Sequence, residues 1–237
     1  MEISYCMPVR NRLEDVKLSL IEVIKAAKRS PPVEIAILDY GSDDGLGEYI
    51  ASLPQLNHGN SIKYTRPANY KYYHMAHARN LSMLAGSGEY LVGANADNLI
   101  SGYFFHVMRV LIDLGAVWIT PDPWSSLLVI HKEEFVACGG FDERFEFYGP
   151  EDKEIVERLH RRGKRHKKYS RALISAIYTD NEKKMNGYRL KLMKRTAHKE
   201  GWKILLENRE KELLVANPNG WGKKETINGR KCNNTST

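Results

Sequence analysis

Three groups of acidic and amide side chains are the residues of this sequence whose types best suit chemistry. They are Asp39 with Asp44, Asn95 with Asp97, and the adjacent pair Glu151–Asp152. A carboxylate can take the proton from an attacking hydroxyl group, and it can accept hydrogen bonds from a nucleobase or a ribose. Carboxylate and amide oxygens also bind Mg²⁺ and Mn²⁺. The groups therefore suit an enzyme that binds a nucleotide and a hydroxyl acceptor.

Each group also has an ordinary structural explanation. Asp, Ser and Gly dominate turns such as 39–45, Asn and Asp cap helices, and acids in a first helical turn favour the helix dipole. It is the joint occurrence of the groups, in order along one edge of a predicted sheet, that favours a functional interpretation.

The elements that must position these groups alternate between strands and helices. Apolar runs and helical periodicity predict, in order, strand 2–7, helix 13–28, strand 33–38, helix 46–53, strand 61–65, helix 77–85, strand 89–93 and helix 102–114. Strands are also predicted at 117–120, 127–130 and 172–178, and helices at 151–162 and within 191–214. The alternation predicts an α/β fold, with a mostly parallel central sheet flanked by helices. Ligands bind such sheets at the carboxyl ends of the strands, where Asp39 and Asn95 would lie.

Length and composition bound the domain organisation and the location. A chain of 237 residues that is 42% apolar can bury one sizeable core. We expect one catalytic α/β domain over 1–185, a helical C-terminal extension packed on it over 186–216, and a polar, loosely ordered tail over 217–237. No apolar run approaches the roughly 20 residues of a membrane span. The three cysteines have no disulfide or zinc spacing, so we expect a cytoplasmic protein.

Four stretches of the sequence resemble the motifs of GT-A fold glycosyltransferases. MPVRNR, at 7–12, resembles the opening strand and its Pro-x-x-Asn-Arg loop, and LDYGSDDG, at 38–45, resembles the nucleotide-binding loop. HARNLSMLAGSGEYLVGANADN, at 77–98, is similar to the A-R-N helix that leads into the D-x-D strand. GGFDERFEFYGPEDKEIVERLHRRG, at 139–163, resembles the C-terminal segment of the galactosyltransferase and chondroitin-polymerase types, and it is the most specific of the four.

The resemblance covers about residues 2–180 and implies a Rossmann-like GT-A enzyme that uses a nucleotide-sugar donor, with UDP as the expected nucleotide. The residues expected to bind the donor are Pro8 and Arg10 at the nucleoside, Asp39 at the base, Asp44 and Arg79 near the ribose and diphosphate, and Asn95 and Asp97 at the D-x-D positions.

On the acceptor side, the resemblance implies two catalytic carboxylates. Glu151 would hold the acceptor, and Asp152 would be the general base of an inverting displacement. The acceptor is expected to be a carbohydrate or another hydroxyl compound. Gly149, Tyr148 in the place of the family's Trp, and Trp124 in the preceding loop are expected to line its site.

A divalent cation, Mn²⁺ or Mg²⁺, is the cofactor that the resemblance implies, with Asp97 as its firmest ligand. Asn95 stands where the first Asp of D-x-D is expected, and Tyr178 stands where a metal-binding His is common, with Asp180 as an alternative ligand. Two hypotheses stay open here. Cationic side chains could supply the charge that a weakly bound metal does not, or the chain could bind a nucleotide sugar without catalysis.

The basic stretch, residues 158–171, contains eight Lys and Arg residues and no acid, and it accounts for most of the net charge of +7. It has three interpretations: a solvated helix end and loop, a surface for an anionic acceptor or membrane, and a nucleic-acid site. Because the stretch follows Glu151–Asp152 closely, Arg161 and Arg162 are candidate acceptor-binding residues, and a DNA acceptor is one possibility.

Overall fold

The fold is described by a computed structural model that covers residues 2–67, 70–123, 127–146, 149–178, 188 and 194–222. The strands are β1 (Ile3–Val9), β2 (Val33–Asp39), β3 (Ser61–Thr65), β4 (Tyr90–Gly93), β5 (Asn98–Ile100), β6 (Trp118–Asp122), β7 (Leu128–His131), β8 (His166–Ser170) and β9 (Ile174–Ala176). The helices are α1 (Leu13–Arg29), α2 (Leu46–Ser52), α3 (Met75–Ala85), α4 (Phe104–Asp113), α5 (Lys132–Ala137), α6 (Glu151–Arg161) and α7 (Lys194–Glu210).

A seven-stranded sheet in the order β3-β2-β1-β4-β7-β6-β8 forms the centre of the molecule. Only β7 runs against the other strands of this sheet, so the predicted mostly parallel α/β sheet is confirmed. A second, two-stranded sheet pairs β5 with β9 in antiparallel register.

The central strands are buried on both faces, which explains why they read as continuous apolar runs. Every residue of β1 and β2 is buried. Successive residues of β1 face opposite sides of the sheet. Tyr5 joins one core cluster with Leu20 of α1, whereas Cys6 joins another with Met83 of α3. The strand order places β2, β1 and β4 side by side, so the loops at their carboxyl ends are neighbours.

The structure adds elements that the sequence pattern did not predict. Strand β5 is three residues long, too short to show a period, and α5 was not predicted. Strand β8 lies inside the basic stretch, where lysines such as the exposed Lys168 suit the edge of a sheet. The strand predicted at 172–178 is shorter, because a 3₁₀ turn occupies Arg171–Leu173 before β9 begins.

The C-terminal part of the described chain packs on the core. Leu205 of α7 joins the apolar cluster of Ile155 and Leu159 of α6. The loose order expected from residue 217 does not describe residues 217–222, because the amide nitrogen of Asn217 donates to the carbonyl oxygens of Gly139 and Phe141 at 2.8 and 2.7 Å. The boundary expected at 185/186 lies outside the described residues and stays a prediction.

Two further findings concern the helices and the cysteines. Among the described residues, no helix combines the length and the apolar character that a membrane crossing requires. Cys6 and Cys138 are buried free thiols. The cytoplasmic location stays a prediction.

Candidate active site

The loops after β1, β2 and β4 bring most of the expected donor-binding residues to one edge of the sheet. The backbone N–H of Tyr40, which follows β2, donates to the carbonyl of Val9 at 2.7 Å, and Ala94 N, which follows β4, donates to the carbonyl of Cys6 at 3.0 Å. Pro8 is buried in β1 in register with Leu38 of β2. The parallel register therefore brings these loops together, as the topology rule predicts.

Asp39 is fully buried, and all of its acceptor positions are used. Oδ1 accepts from the backbone N–H groups of Gly41 and Ser42 at 3.1 and 2.7 Å. Oδ2 accepts from the Tyr64 hydroxyl at 2.5 Å and from Arg66 Nη1 at 3.2 Å. A carboxylate has about four acceptor sites, so a base can bond to Asp39 only if one of these donors moves. Arg66 is the most exposed of them.

Asp44 and Arg10 each keep one buried polar atom that is unpaired within the described part of the chain. Asp44 Oδ2 accepts from the Leu13 N–H at 2.8 Å, at the start of α1, but Oδ1 has no hydrogen-bond partner. Arg10 Nη2 donates to the Lys71 carbonyl at 3.0 Å, but Nη1 has no partner. Buried unpaired groups are costly, so both atoms are suited to a polar ligand.

Arg79, on α3, connects Asn95, at this edge of the sheet, to Glu151 and Asp152. Nη2 donates to Asn95 Oδ1 at 3.0 Å, and Nη1 pairs with Asp152 and lies 3.5 Å from Glu151 Oε1. The guanidinium also lies over the ring of Phe141, 5.2 Å from its centre. Burial disfavours the charge of Arg79, but Asp152 and Glu151 outweigh that cost and raise its pKa above the ordinary value.

Glu151 and Asp152 occupy the first turn of α6 and differ in exposure. The Glu151 side chain is 3% exposed and that of Asp152 is 22% exposed. Burial and the adjacent charge of Asp152 raise the pKa of Glu151 to about 7, against the opposing effects of Arg79 and the backbone N–H of Gly149. Glu151 therefore keeps its proton to a higher pH than an ordinary carboxyl group does, and perturbed carboxyl groups of this kind are common where proton transfer takes place.

Asp97 and Asn95, the expected ligands of the implied metal, both contact arginines. Asp97 Oδ2 lies 3.5 Å from Arg12 Nη2, and the oxygen of Asn95 accepts from Arg79. Tyr178 is 91% exposed, and Asp180 lies outside the described residues. No group of three His, Cys, Asp or Glu side chains comes together in the part of the chain that is described. The donor set fits a cation held by Asp97 with the remaining ligands from donor phosphates and water, an arrangement common for Mg²⁺.

The expected acceptor-binding residues divide into two groups. The backbone N–H of Gly149 lies 3.2 Å from Glu151 Oε2, at the site. Arg161 and Arg162 lie at the opposite end of α6, roughly 15 Å along its axis. Arg161 donates to the carbonyl of Leu213 at 3.1 Å, and Arg162 pairs with Glu134. Trp124 and Tyr148 lie outside the described residues.

The basic stretch is thus less available than its composition indicates. Arg158 is fully buried, pairs with Glu154 at 2.9 Å and donates to the carbonyl of Gly140 at 2.7 Å. Lys168 lies 3.4 Å from Asp122. Acids outside the stretch supply the partners that are absent from the stretch itself, so the sequence composition alone overstated its free charge.

Several residues at the site were not singled out from the sequence. Arg12 ends the stretch 7–12 but had no expected role, and it pairs with Asp15 as well as with Asp97. Arg66 was not predicted, and its place directly after a strand is the one signal that could have identified it. Burial raises the pKa of Tyr73, in the aromatic segment before α3, to about 12.

Comparisons with solved structures find the same fold. S. aureus TarS 1-349 in complex with UDP-GlcNAc superposes with a TM-score of 0.65 and 14% identity, over 89% of this chain and 73% of that chain. The mannosyltransferase PcManGT from Pyrobaculum calidifontis, in complex with GDP-Man and Mn²⁺, gives a TM-score of 0.62 and 15% identity, over 76% of this chain and 58% of that chain. In another TarS 1-349 structure, the chain likewise spans 58% of the relative's length.

The sequence comparisons add the family. No curated protein matches the sequence. The model of the family described as "Glycosyltransferase like family 2" matches residues 116–234, which is half of the chain. That match includes α6 with Glu151–Asp152, whereas the galactosyltransferase-like character of the segment 139–163 is not confirmed. The chain therefore belongs to the glycosyltransferase-like family 2, a family of sugar-transferring enzymes, and has the GT-A fold.

Proposed function

We propose that the chain transfers a sugar from a UDP-sugar donor to an acceptor hydroxyl by an inverting displacement, with Asp152 as the general base. The observation that carries the proposal is the set of contacts made by Arg79. One buried guanidinium bonds both to Asn95, at the donor edge, and to Asp152, at the start of α6. Donor phosphates and an acceptor hydroxyl would therefore meet within the reach of a single side chain.

Each residue has a chemical task in this proposal. The acceptor oxygen attacks the anomeric carbon opposite the diphosphate, and its proton passes to Asp152. Glu151 positions the acceptor from its buried place beside Asp152. Arg79 orients Asp152 and offers positive charge to the leaving diphosphate. A divalent cation bound by Asp97 and the donor phosphates would supply further positive charge to the same group.

The donor edge supports a nucleotide as the ligand. Arg10 Nη1 and Asp44 Oδ1 are buried polar atoms for which phosphate or ribose oxygens are suitable partners. TarS was crystallised with UDP-GlcNAc and PcManGT with GDP-Man, so relatives in fold bind different nucleotides. We propose UDP on the resemblance of the loop that contains Asp39.

We propose a carbohydrate as the acceptor. The hypotheses of an anionic acceptor or membrane and of a nucleic-acid site depended on the basic stretch. Three of its residues, Arg158, Arg161 and Arg162, bond within the protein. The main alternative is a protein that binds nucleotide sugars without catalysis, which Asn95 at the first D-x-D position favours.

A panel of UDP-glucose, UDP-galactose, UDP-GlcNAc and GDP-mannose, with and without Mn²⁺, tests the proposal. We expect thermal stabilisation by a UDP-sugar and slow hydrolysis of it. Asp152→Asn should retain donor binding and lose roughly 10²–10⁴-fold in hydrolysis rate. Glu14→Gln, an exposed acid of α1, is the matched control. Stabilisation without hydrolysis would favour the binding protein, and no stabilisation by any of the four would contradict the proposal.

A further inference from the structure

Helix α7 contacts the loop that begins α6, and this contact gives α7 a role beyond packing. We propose that α7 positions the catalytic pair Glu151–Asp152 through a close approach at Gly201. The inference rests on the proposed function of that pair.

Gly201 is buried where α7 crosses the residues that precede α6. A Cβ atom at this position would lie 2.7 Å from Pro150 Cδ, 3.3 Å from Gly149 Cα and 3.5 Å from Phe145 Cδ1. The first distance is shorter than real Cβ atoms show, so only glycine permits this approach. Pro150 is the N-cap residue of α6, and Gly149 N–H donates to Glu151. Gly201 therefore contacts the backbone that sets the first turn of α6.

A second contact lies two helical turns further along α7. Asn208 is fully buried, and its amide nitrogen donates to Glu154 Oε1 of α6 at 3.1 Å and to Asp142 Oδ2 at 3.0 Å. Arg209, the next residue, pairs with Glu157 of α6 at 2.6 Å. Two separated contacts define both the position and the direction of α6, which one contact could not do.

This arrangement matters because general-base catalysis depends on position. A displacement of about 1 Å can cost on the order of 10²-fold in rate. Of the donor residues, Asp39 ends β2, Asp44 follows β2 and Asp97 follows β4, and none of them takes part in the contacts of Gly201, Asn208 and Arg209. A shift of α6 would therefore alter the acceptor carboxylates and their distance from Arg79, and leave the donor loops in place.

Gly201→Ala is the test variant. Alanine has the higher helix propensity by about 1 kcal/mol, so helix formation alone predicts equal or better folding. We expect a 10- to 100-fold lower kcat for donor hydrolysis, an unchanged Kd for UDP, and a shifted midpoint in the pH–rate profile. Lys203→Ala, exposed on the same helix, should match the wild type in all three measurements.

Pro150→Ala combined with Gly201→Ala is the second variant. It removes the Cδ atom that the new methyl group meets, so kcat and the pH midpoint should return towards wild-type values. The double variant also carries the test if Gly201→Ala alone fails to fold.

Two results would overturn the inference. One is a Gly201→Ala protein that hydrolyses the donor like the Lys203→Ala control. The other is a rate loss matched by weaker UDP binding, with no change in pH midpoint and no rescue by Pro150→Ala. A wild-type protein that neither binds nor hydrolyses any UDP-sugar would instead contradict the proposed function.

Discussion

The acids of the donor edge and the acids of α6 are held in opposite ways. Asp39 accepts four hydrogen bonds, two of them from its own loop. Glu151 and Asp152 share one arginine, and Glu151 keeps a raised pKa of about 7. A carboxylate surrounded by donors stabilises the loop around it. A carboxylate buried with few donors retains a proton near neutral pH, which suits proton transfer.

The largest effect should come from Arg79→Gln, which breaks the link between the two regions. It leaves two neighbouring carboxylates without their cation, so we expect a loss of about 3–5 kcal/mol in the free energy of unfolding. Donor hydrolysis should fall by at least roughly 10²-fold, as for a lost electrostatic donor. Urea denaturation and hydrolysis assays measure the two effects.

Arg109→Gln is the control for Arg79. Arg109 is half-buried and donates to Ser30 and to the Pro32 carbonyl, remote from the site. It should lower stability modestly and leave hydrolysis unchanged. Equal behaviour of the two variants would mean that Arg79 has only a structural role.

Asp39→Asn should lower the free energy of unfolding by about 2 kcal/mol. The new amide nitrogen would face groups that donate hydrogen bonds to Asp39. UDP affinity, measured by calorimetry, should fall with it, while the pH midpoint of hydrolysis stays constant. Asp43→Asn, an exposed acid of the same loop, should change neither quantity. A shifted pH midpoint in Asp39→Asn would contradict the expectation that Asp39 and the acids of α6 have separate effects.

Glu151→Gln should change how the stability of the protein depends on pH. The folded chain holds the Glu151 proton up to about pH 7, whereas the unfolded chain releases it near 4.5. Stability therefore falls as the pH rises between these values. Gln avoids the buried charge, so the variant should be more stable than the wild type at pH 8, by about 1–3 kcal/mol, and equal to it below pH 4.5.

Glu157→Gln is the opposite control in the same helix. The hydrogen bond from Arg209 lowers the pKa of Glu157, so its contribution to stability is present above the ordinary pKa and is lost as the pH falls. Its replacement should therefore destabilise the protein at pH 8. Denaturation curves at pH 4 and pH 8 separate the two signs, and a Glu151→Gln protein that is less stable at pH 8 would contradict the expectation.

The smallest effect should come from exposed residues of the basic stretch, such as Lys164 and Arg171. Lys164→Glu with Arg171→Glu should change stability by less than about 0.5 kcal/mol and leave hydrolysis unchanged. Arg162→Glu, which opposes Glu134, should destabilise the protein. If the exposed double variant lost salt-dependent use of an acceptor, an anionic acceptor would regain support.

Much of the fold follows from local pattern. β1 and β2 are buried along their whole length, so their apolar runs are unambiguous, and α1 has a clear helical period. The edge strand β8 and the short strand β5 were not predicted. The lysines of β8 interrupt the apolar pattern of a buried strand, and the three residues of β5 are too few to show a period.

The candidate site likewise has one part that the sequence predicted and one part that it did not. The acids that follow β2 and β4 were predictable, because the ends of parallel strands share one edge. The link through Arg79 was not, because it joins residues 73 positions apart in the chain.

The sequence by itself determined the α/β fold, the acids at the strand ends and the pair Glu151–Asp152, because these depend on local periodicity and residue type. Only the tertiary structure decided what each charge does. It brought Glu134 of α5 to Arg162 of the basic stretch, gave Asp39 the donors Tyr64 and Arg66, and placed α7 against Pro150. Burial and distance between remote elements set the cost of a charge, and neither is contained in the local pattern.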